Sequence, residues 1–187
     1  MRGVGWIRVV TVLLVALLLA SGGGRTARAE VITYRLDIVA SGEIGARRFT
    51  DQPIVLLARA DTDFAIEIAG LGFAIGAIMK FKQHKDNPTQ IPIHTPIALF
   101  LISKELQLRP YTVQSPGALA AMPQPSGRLI LRSSKLGPGK LLQATDPTAV
   151  TTDLAGALKL VLVRDHVPAT LVIRSIKGNR AVLRAVN

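Results

Sequence analysis

The stretch VITYRLDIVAS, residues 31–41, decides the fold class. Ile32, Tyr34, Leu36 and Ile38 alternate with Thr33, Arg35 and Asp37. In an extended chain such alternation sends apolar side chains to one face and polar ones to the other, the pattern of a half-buried β-strand. Ser41 to Gly45 then reads as a turn, and residues 48–61 (RFTDQPIVLLARAD) resume as a long β segment that pairs back on the first as a hairpin. Pro53 within it has no amide hydrogen for a ladder, so it marks an edge or a bulge.

Downstream the same reading continues. Phe64, Ile66 and Ile68 alternate with Ala65 and Glu67, and a further apolar run leads to Lys80-Phe81-Lys82. Residues 84–96 (HKDNPTQIPIHTP) carry three prolines and are expected to form an exposed loop outside any sheet. Residues 116–125 read as a second irregular segment. Residues 97–102, 106–113, 128–132, 158–164 and 171–176 have strand length and β-branched content. Gly178-Asn179, between LVIRSI and AVLRAV, signals a tight hairpin because both residues tolerate positive φ. Asp146-Pro147 has the cap-and-first-turn chemistry of one short helix over residues 146–154. The expectation is an all-β chain built as an antiparallel β-sandwich, the proline-rich loop crossing between its two sheets.

Upstream, Arg2 and Arg8 flank the start of an unbroken apolar run, residues 9–20 (VVTVLLVALLLA), and Ala27-Arg28-Ala29 places small residues where signal peptidase reads. Twelve apolar residues give about 18 Å of helix against the roughly 30 Å of a bilayer's hydrocarbon, too short to span it. Residues 1–29 therefore read as a signal peptide cleaved before Glu30, and residues 30–187 as one domain in the periplasm or the medium, with no transmembrane span after cleavage.

The chain has no cysteine, which excludes disulfides, thiolate metal sites and cysteine nucleophiles. Aromatics are 4%, so the core must be aliphatic, with Phe49, Phe64, Phe73, Phe81 and Phe100 as its few large pieces. The formal charge of +11 includes four leader arginines; the remainder carries 19 basic and 12 acidic residues, or +7. A basic exported surface suits anionic envelope polysaccharide or lipid headgroups. Nucleic acid is not expected, because export removes it and the few aromatics do not interleave with the charge.

Tyr34, the run Gly42-Glu43-Ile44-Gly45, Phe49-Thr50-Asp51 and Ala60-Asp61-Thr62-Asp63 resemble the opening of a group of secreted β-sandwich proteins found among PEP-CTERM exosortase substrates. Gly70-Leu71-Gly72 and residues 146–154 (DPTAVTTDL) extend the resemblance to about a third of the mature chain. It implies an exported sandwich and no catalytic residues. The sequence stops at Val186-Asn187 without a Pro-Glu-Pro signal, apolar tail or basic cluster, so sorting by that route is not expected.

No residue is singled out as catalytic and no cofactor is expected. His84, His94 and His166 lack a recognised metal-ligand spacing, and Ser115, Asp165 and His166 lack the nucleophile elbow of a hydrolase. Asp61 and Asp63, near Asp51 and Glu67, are calcium candidates; the competing reading is a turn in which an aspartate accepts backbone hydrogen bonds. The basic residues carry more pattern. Lys80 and Lys82 (with Lys85), Arg128 and Arg132, and Arg180 and Arg184 sit two or four apart within strands and so project together, as polyanion-binding candidates. The expected function is an exported, non-enzymatic binding or structural module of the envelope or matrix. The alternative is a periplasmic hydrolase or calcium-binding accessory domain, and the oligomeric state is left open. Mass spectrometry of the exported protein is expected to give Glu30 as its first residue; a retained Met1 would overturn the leader reading.

Overall fold

The computed structural model describes residues 31–68, 72–83, 90–111, 124–136, 146–164 and 167–186. Nine strands run in order: β1 (Val31–Ile44), β2 (Arg47–Asp61), β3 (Ile66–Ile68), β4 (Gly72–Gln83), β5 (Ile91–Ile102), β6 (Glu105–Pro110), β7 (Ser126–Arg132), β8 (Thr148–Arg164) and β9 (Val167–Val186). A short 3₁₀ turn, Thr62–Phe64, joins β2 to β3.

The expected sandwich is not what forms. The sheet order is β2-β1-β9-β8-β7-β6-β5-β4-β3, and β2 also pairs with β4, from Ile54 opposite Gln83 to Ala60 opposite Ala77. That pairing joins the two ends of one sheet, so eight antiparallel strands close into a barrel and β3 hangs from β4 as a ninth. The overturned inference took the chain for many short strands stacked as two sheets. In fact β1, β2, β8 and β9 run 14, 15, 17 and 20 residues, long enough to tilt around a closed wall.

The length was hidden by residues that look like breaks. Gly178 and Asn179 take φ of 64° and 49°, yet they do not close a hairpin: residues on both sides of them pair with β1 and with β8. Between the pairs Ile38–Ala181 and Ala40–Ile176, one residue of β1 faces four of β9, so the turn chemistry makes a large bulge. The expected helix over 146–154 is also absent. Thr148, Val150 and Thr152 point inward while Ala149, Thr151 and Asp153 are exposed, so period two and β-branching prevail over the Asp-Pro cap. Pro92 and Pro96, assigned to a loop, lie in β5. Pro96 sits at the register shift between the pairs Ala77–Ile97 and Met79–Ile93, where one residue of β4 faces three of β5, which is where a sheet tolerates proline.

The β1–β2 hairpin stands as expected, with a two-residue loop in which Gly45 has φ 57°. Pro53 faces Val39 on β1 but lies just before the first β2–β4 pair, so its missing N–H falls on the open side. Gly42 is required for a different reason: a Cβ there would lie 1.9 Å from the Val172 carbonyl oxygen, inside any contact distance.

The core fills the barrel. Ile32, Leu36, Leu56, Met79, Phe81, Leu99, Leu129, Leu160 and Ile173 point inward and are buried, as an eight-stranded wall permits when its interior is just wide enough for side chains. Of the five phenylalanines expected inside, only Phe81 is fully buried, and Phe64 is 73% exposed. The outer surfaces of the strands carry Arg35, Asp37, Arg59, Lys80, Arg132, Asp153 and Arg180. Among the described residues no helix is long and apolar enough to cross a membrane.

The wall narrows toward one end. Where β6 and β7 stop, β5 and β8 meet directly through Ile93 and Leu162. Beside that junction the buried Thr95 hydroxyl accepts a hydrogen bond of 2.6 Å from the Val161 amide, standing in for a strand carbonyl. Replacing Thr95 by Val strands that amide away from water, so Thr95→Val is expected to cost about 1–3 kcal/mol in denaturant unfolding while Thr95→Ser loses less. Equal losses for the two variants would show that the hydroxyl is not what matters.

Candidate functional site

The barrel separates the basic candidates. Lys80 and Lys82 project outward from β4, opposite Leu57 and Val55 of β2, at the end of the wall where β5 meets β8 and away from the β5–β6 turn. Lys85 lies outside the described residues, as do His84, Ser115, Asp165 and His166. Arg128 and Arg132 on β7 and Arg180 and Arg184 on β9 project from the two strands that flank β8. The six described candidates therefore form two groups, and one basic face cannot hold them all.

The β7–β9 group is ordered by register. Glu105 pairs with Arg132, Arg132 with Thr151 and Thr151 with Arg180, so these residues stand on one outward row across four strands. At about 4.8 Å per strand, Arg132 and Arg180 are about 10 Å apart at their backbones. Arg132 is tied on this row: its Nε donates to Glu105 at 2.9 Å and its Nη1 lies 3.6 Å from Asp153. Glu105 in turn accepts from the Gln107 amide, Gln107 accepts from Arg109, and the Arg109 guanidinium lies 4.9 Å from the centre of the Phe100 ring. These charge-assisted bonds fix the outer surface of β5 to β8 more than they leave charge free. Arg184 is likewise engaged, 3.8 Å from Asp37, which also holds Arg35 at 2.7 Å. Arg180 is exposed and makes no such contact.

Sequence reasoning missed the groups that surround this row. The β5–β6 turn is Ser103-Lys104, with Ser103 at φ 54°, and the segment after β7 is Ser133-Ser134-Lys135. The Ser133 amide donates to the Lys104 carbonyl at 3.1 Å, which clamps one segment onto the other. Together they border an open depression of ≈ 660 Å³ lined by Ser103, Lys104, Glu105, Arg132, Ser134 and Thr151 among others. The legible signal was two Ser-Lys pairs in turns at the same end of the strands; nothing short of the strand order says that those turns adjoin.

The depression offers donors rather than a nucleophile. Ser103 and Ser134 are free to donate, Lys104 and Lys135 are exposed cations, and Thr151 donates to the Arg132 carbonyl at 3.3 Å. None of these hydroxyls bonds a histidine among the described residues. His94, the one described histidine, stands exposed on β5. Asp61 accepts from the Asp63 amide at 3.1 Å and thereby caps the 3₁₀ turn. Among the described residues no group of three or more His, Asp or Glu comes together at metal-binding range.

A second charged cluster sits at the β9 bulge. Lys177 donates to Asp51 at 2.8 Å, and Ser41 both donates to the Asp51 carboxylate at 3.3 Å and accepts from the Asp51 amide at 3.0 Å. The Lys177 hydrogen bond holds the Asp51 carboxyl below the usual carboxylate range, with Ser41 adding to it. A carboxyl depressed in the fold contributes stability above its ordinary pKa, and loses it as pH falls through the depressed value. Carbon-detected NMR titration of Lys177→Met is expected to move the Asp51 midpoint upward toward the ordinary value; an unmoved midpoint would remove Lys177 as the cause.

A scan against protein-family models finds no match, and searches of curated proteins and of solved structures find none, so the reading of this site rests on its own geometry.

Proposed function

We propose that the chain is an exported, non-enzymatic β-barrel module that binds anionic polymers of the envelope or matrix through the end of the barrel where the two Ser-Lys turns meet. The observation that carries this reading is the convergence of Lys104 and Arg132 on a depression lined by serine and threonine hydroxyls, with the exposed Lys135 next to Ser134 and Arg180 further along the Arg132–Thr151 row. Hydroxyls and ammonium groups are donors suited to carboxylate, sulfate or phosphate oxygens. The barrel interior is occupied by the core, so recognition takes place outside it.

The same reading explains why the site is open and shallow. A polymer passes across a surface and is held by several weak, screened contacts, each of modest strength. Export supports an envelope partner over a cytosolic one, and the leader-like residues 1–29 and the resemblance to secreted proteins both favour export.

Affinity chromatography on a sulfated polysaccharide tests the proposal. Retention of the chain is expected to fall with rising salt, and the double variant Lys104→Ala/Lys135→Ala should elute at lower salt while Lys80→Ala/Lys82→Ala, at the other end of the barrel, elutes like the parent. Retention that ignores ionic strength, or equal shifts from both pairs, would overturn the assignment of this end.

A further inference from the structure

The side of the barrel away from the basic row carries an apolar surface. Phe64, Ile66 and Ile78 are 73%, 68% and 72% exposed, and Tyr111 is 46% exposed. In a barrel with so few aromatics, an outward phenylalanine beside two outward isoleucines is a patch with a purpose. Phe64 does not wave freely: it ends the 3₁₀ turn that Asp61 caps, and the Ala65 amide closes on the Thr62 carbonyl at 3.1 Å. Next to this rigid knob lies a depression of ≈ 520 Å³ lined by Gly76, Ala77, Ile78, Pro96 and Tyr111 as well as Phe64. Its small residues leave the space open, and a Cβ added at Gly76 would meet nothing within 4 Å.

We infer that this surface pairs with a second copy of the same chain, in a two-fold dimer where Phe64 of each copy enters the Gly76–Pro96 depression of the other. Three observations select that occupant. A two-fold interface needs one patch that is complementary to itself, and here knob and hole lie side by side on one patch. Both signs of charge border it: Arg59 and Asp61 line the depression, while Asp63 beside Phe64 and Glu67 beside Ile66 are exposed. A two-fold axis can set Arg59 of one copy against the Asp63 or Glu67 carboxylate of the other, whereas an anionic membrane or polymer offers those carboxylates no cation. The third is the sheet edge. Among the described strands β3 alone stands at an end of the sheet with a single neighbour, and a copy seated over Phe64 and Ile66 shields that edge.

The test uses the chain from Glu30, because every strand of the barrel lies within Val31–Val186. Sedimentation equilibrium across a concentration series is expected to show a monomer–dimer equilibrium. Phe64→Ser removes the knob and should weaken it about thirtyfold or more, as loss of a central aromatic anchor does. Gly76→Leu fills the hole and should weaken it comparably, without strain in β4. Mixing the two variants should restore dimers, because the intact Phe64 of one copy meets the unfilled Gly76–Pro96 side of the other's depression and the shortened side chain meets the filled one. Circular dichroism establishes that both variants keep the fold. A parent chain that stays monomeric throughout, dimers that neither variant weakens, or a mixture that stays monomeric would each overturn the inference. So would a monomeric parent that floats with anionic vesicles, since the patch would then face lipid.

Discussion

Closure of the sheet is the constraint on which everything else depends. Seven paired residues, Ile54 to Ala60 against Ala77 to Gln83, join β2 to β4 and turn a nine-strand sheet into a wall without ends, β3 apart. Once closed, each strand has an inside and an outside rather than a core side and a solvent side of a layer. The alternation in Val31–Ile44 then fills the barrel with Ile32, Tyr34, Leu36 and Ile38 and sends Arg35 and Asp37 to water. Because the inside is occupied by aliphatic side chains, charged side chains are displaced to the rim and the outer wall.

The class of fold was legible and its topology was not. Period two identified β1 and β2, since each of their residues reports its own exposure. The sandwich reading failed because it treated glycine, proline and the Gly178-Asn179 pair as strand ends. In a strongly tilted wall those residues are bends within strands: Gly127 and Gly156, with φ of 82° and 77°, lie where β7 and β8 change register, and Gly178-Asn179 bulges β9. A local signal for positive φ is the same whether the chain turns back or carries on. What separates the two outcomes is which strands lie alongside, a property of distant sequence. The 146–154 segment shows the same limit: Asp-Pro is a competent helix start, but Thr148 and Thr152 are buried on the inner wall as parts of a strand.

The polyanion-binding candidates divide in the same way. Basic residues two or four apart share a strand, yet the barrel places Lys80 and Lys82 away from Arg132 and Arg180, and neighbouring acids occupy Arg132 and Arg184. Charge counting in a sequence does not see a carboxylate that arrives from another strand, such as Glu105 or Asp37. The serines and lysines of the two turns carry no motif, and only the pairing of β5 with β6 and of β6 with β7 makes them neighbours.

The excursion at residues 177–180 has a consequence for how this protein tolerates change. On either side of it β9 is locked to β1 and β8 in fixed register, while Gly178 has open space where a side chain would go. Extra residues inserted at Gly178 lengthen a stretch of β9, 177–179, that pairs with neither β1 nor β8 and lies between pairs that hold their own register. The barrel thus contains a built-in grafting point, where a foreign peptide or a natural insertion is displayed on a wall that does not have to be rebuilt around it.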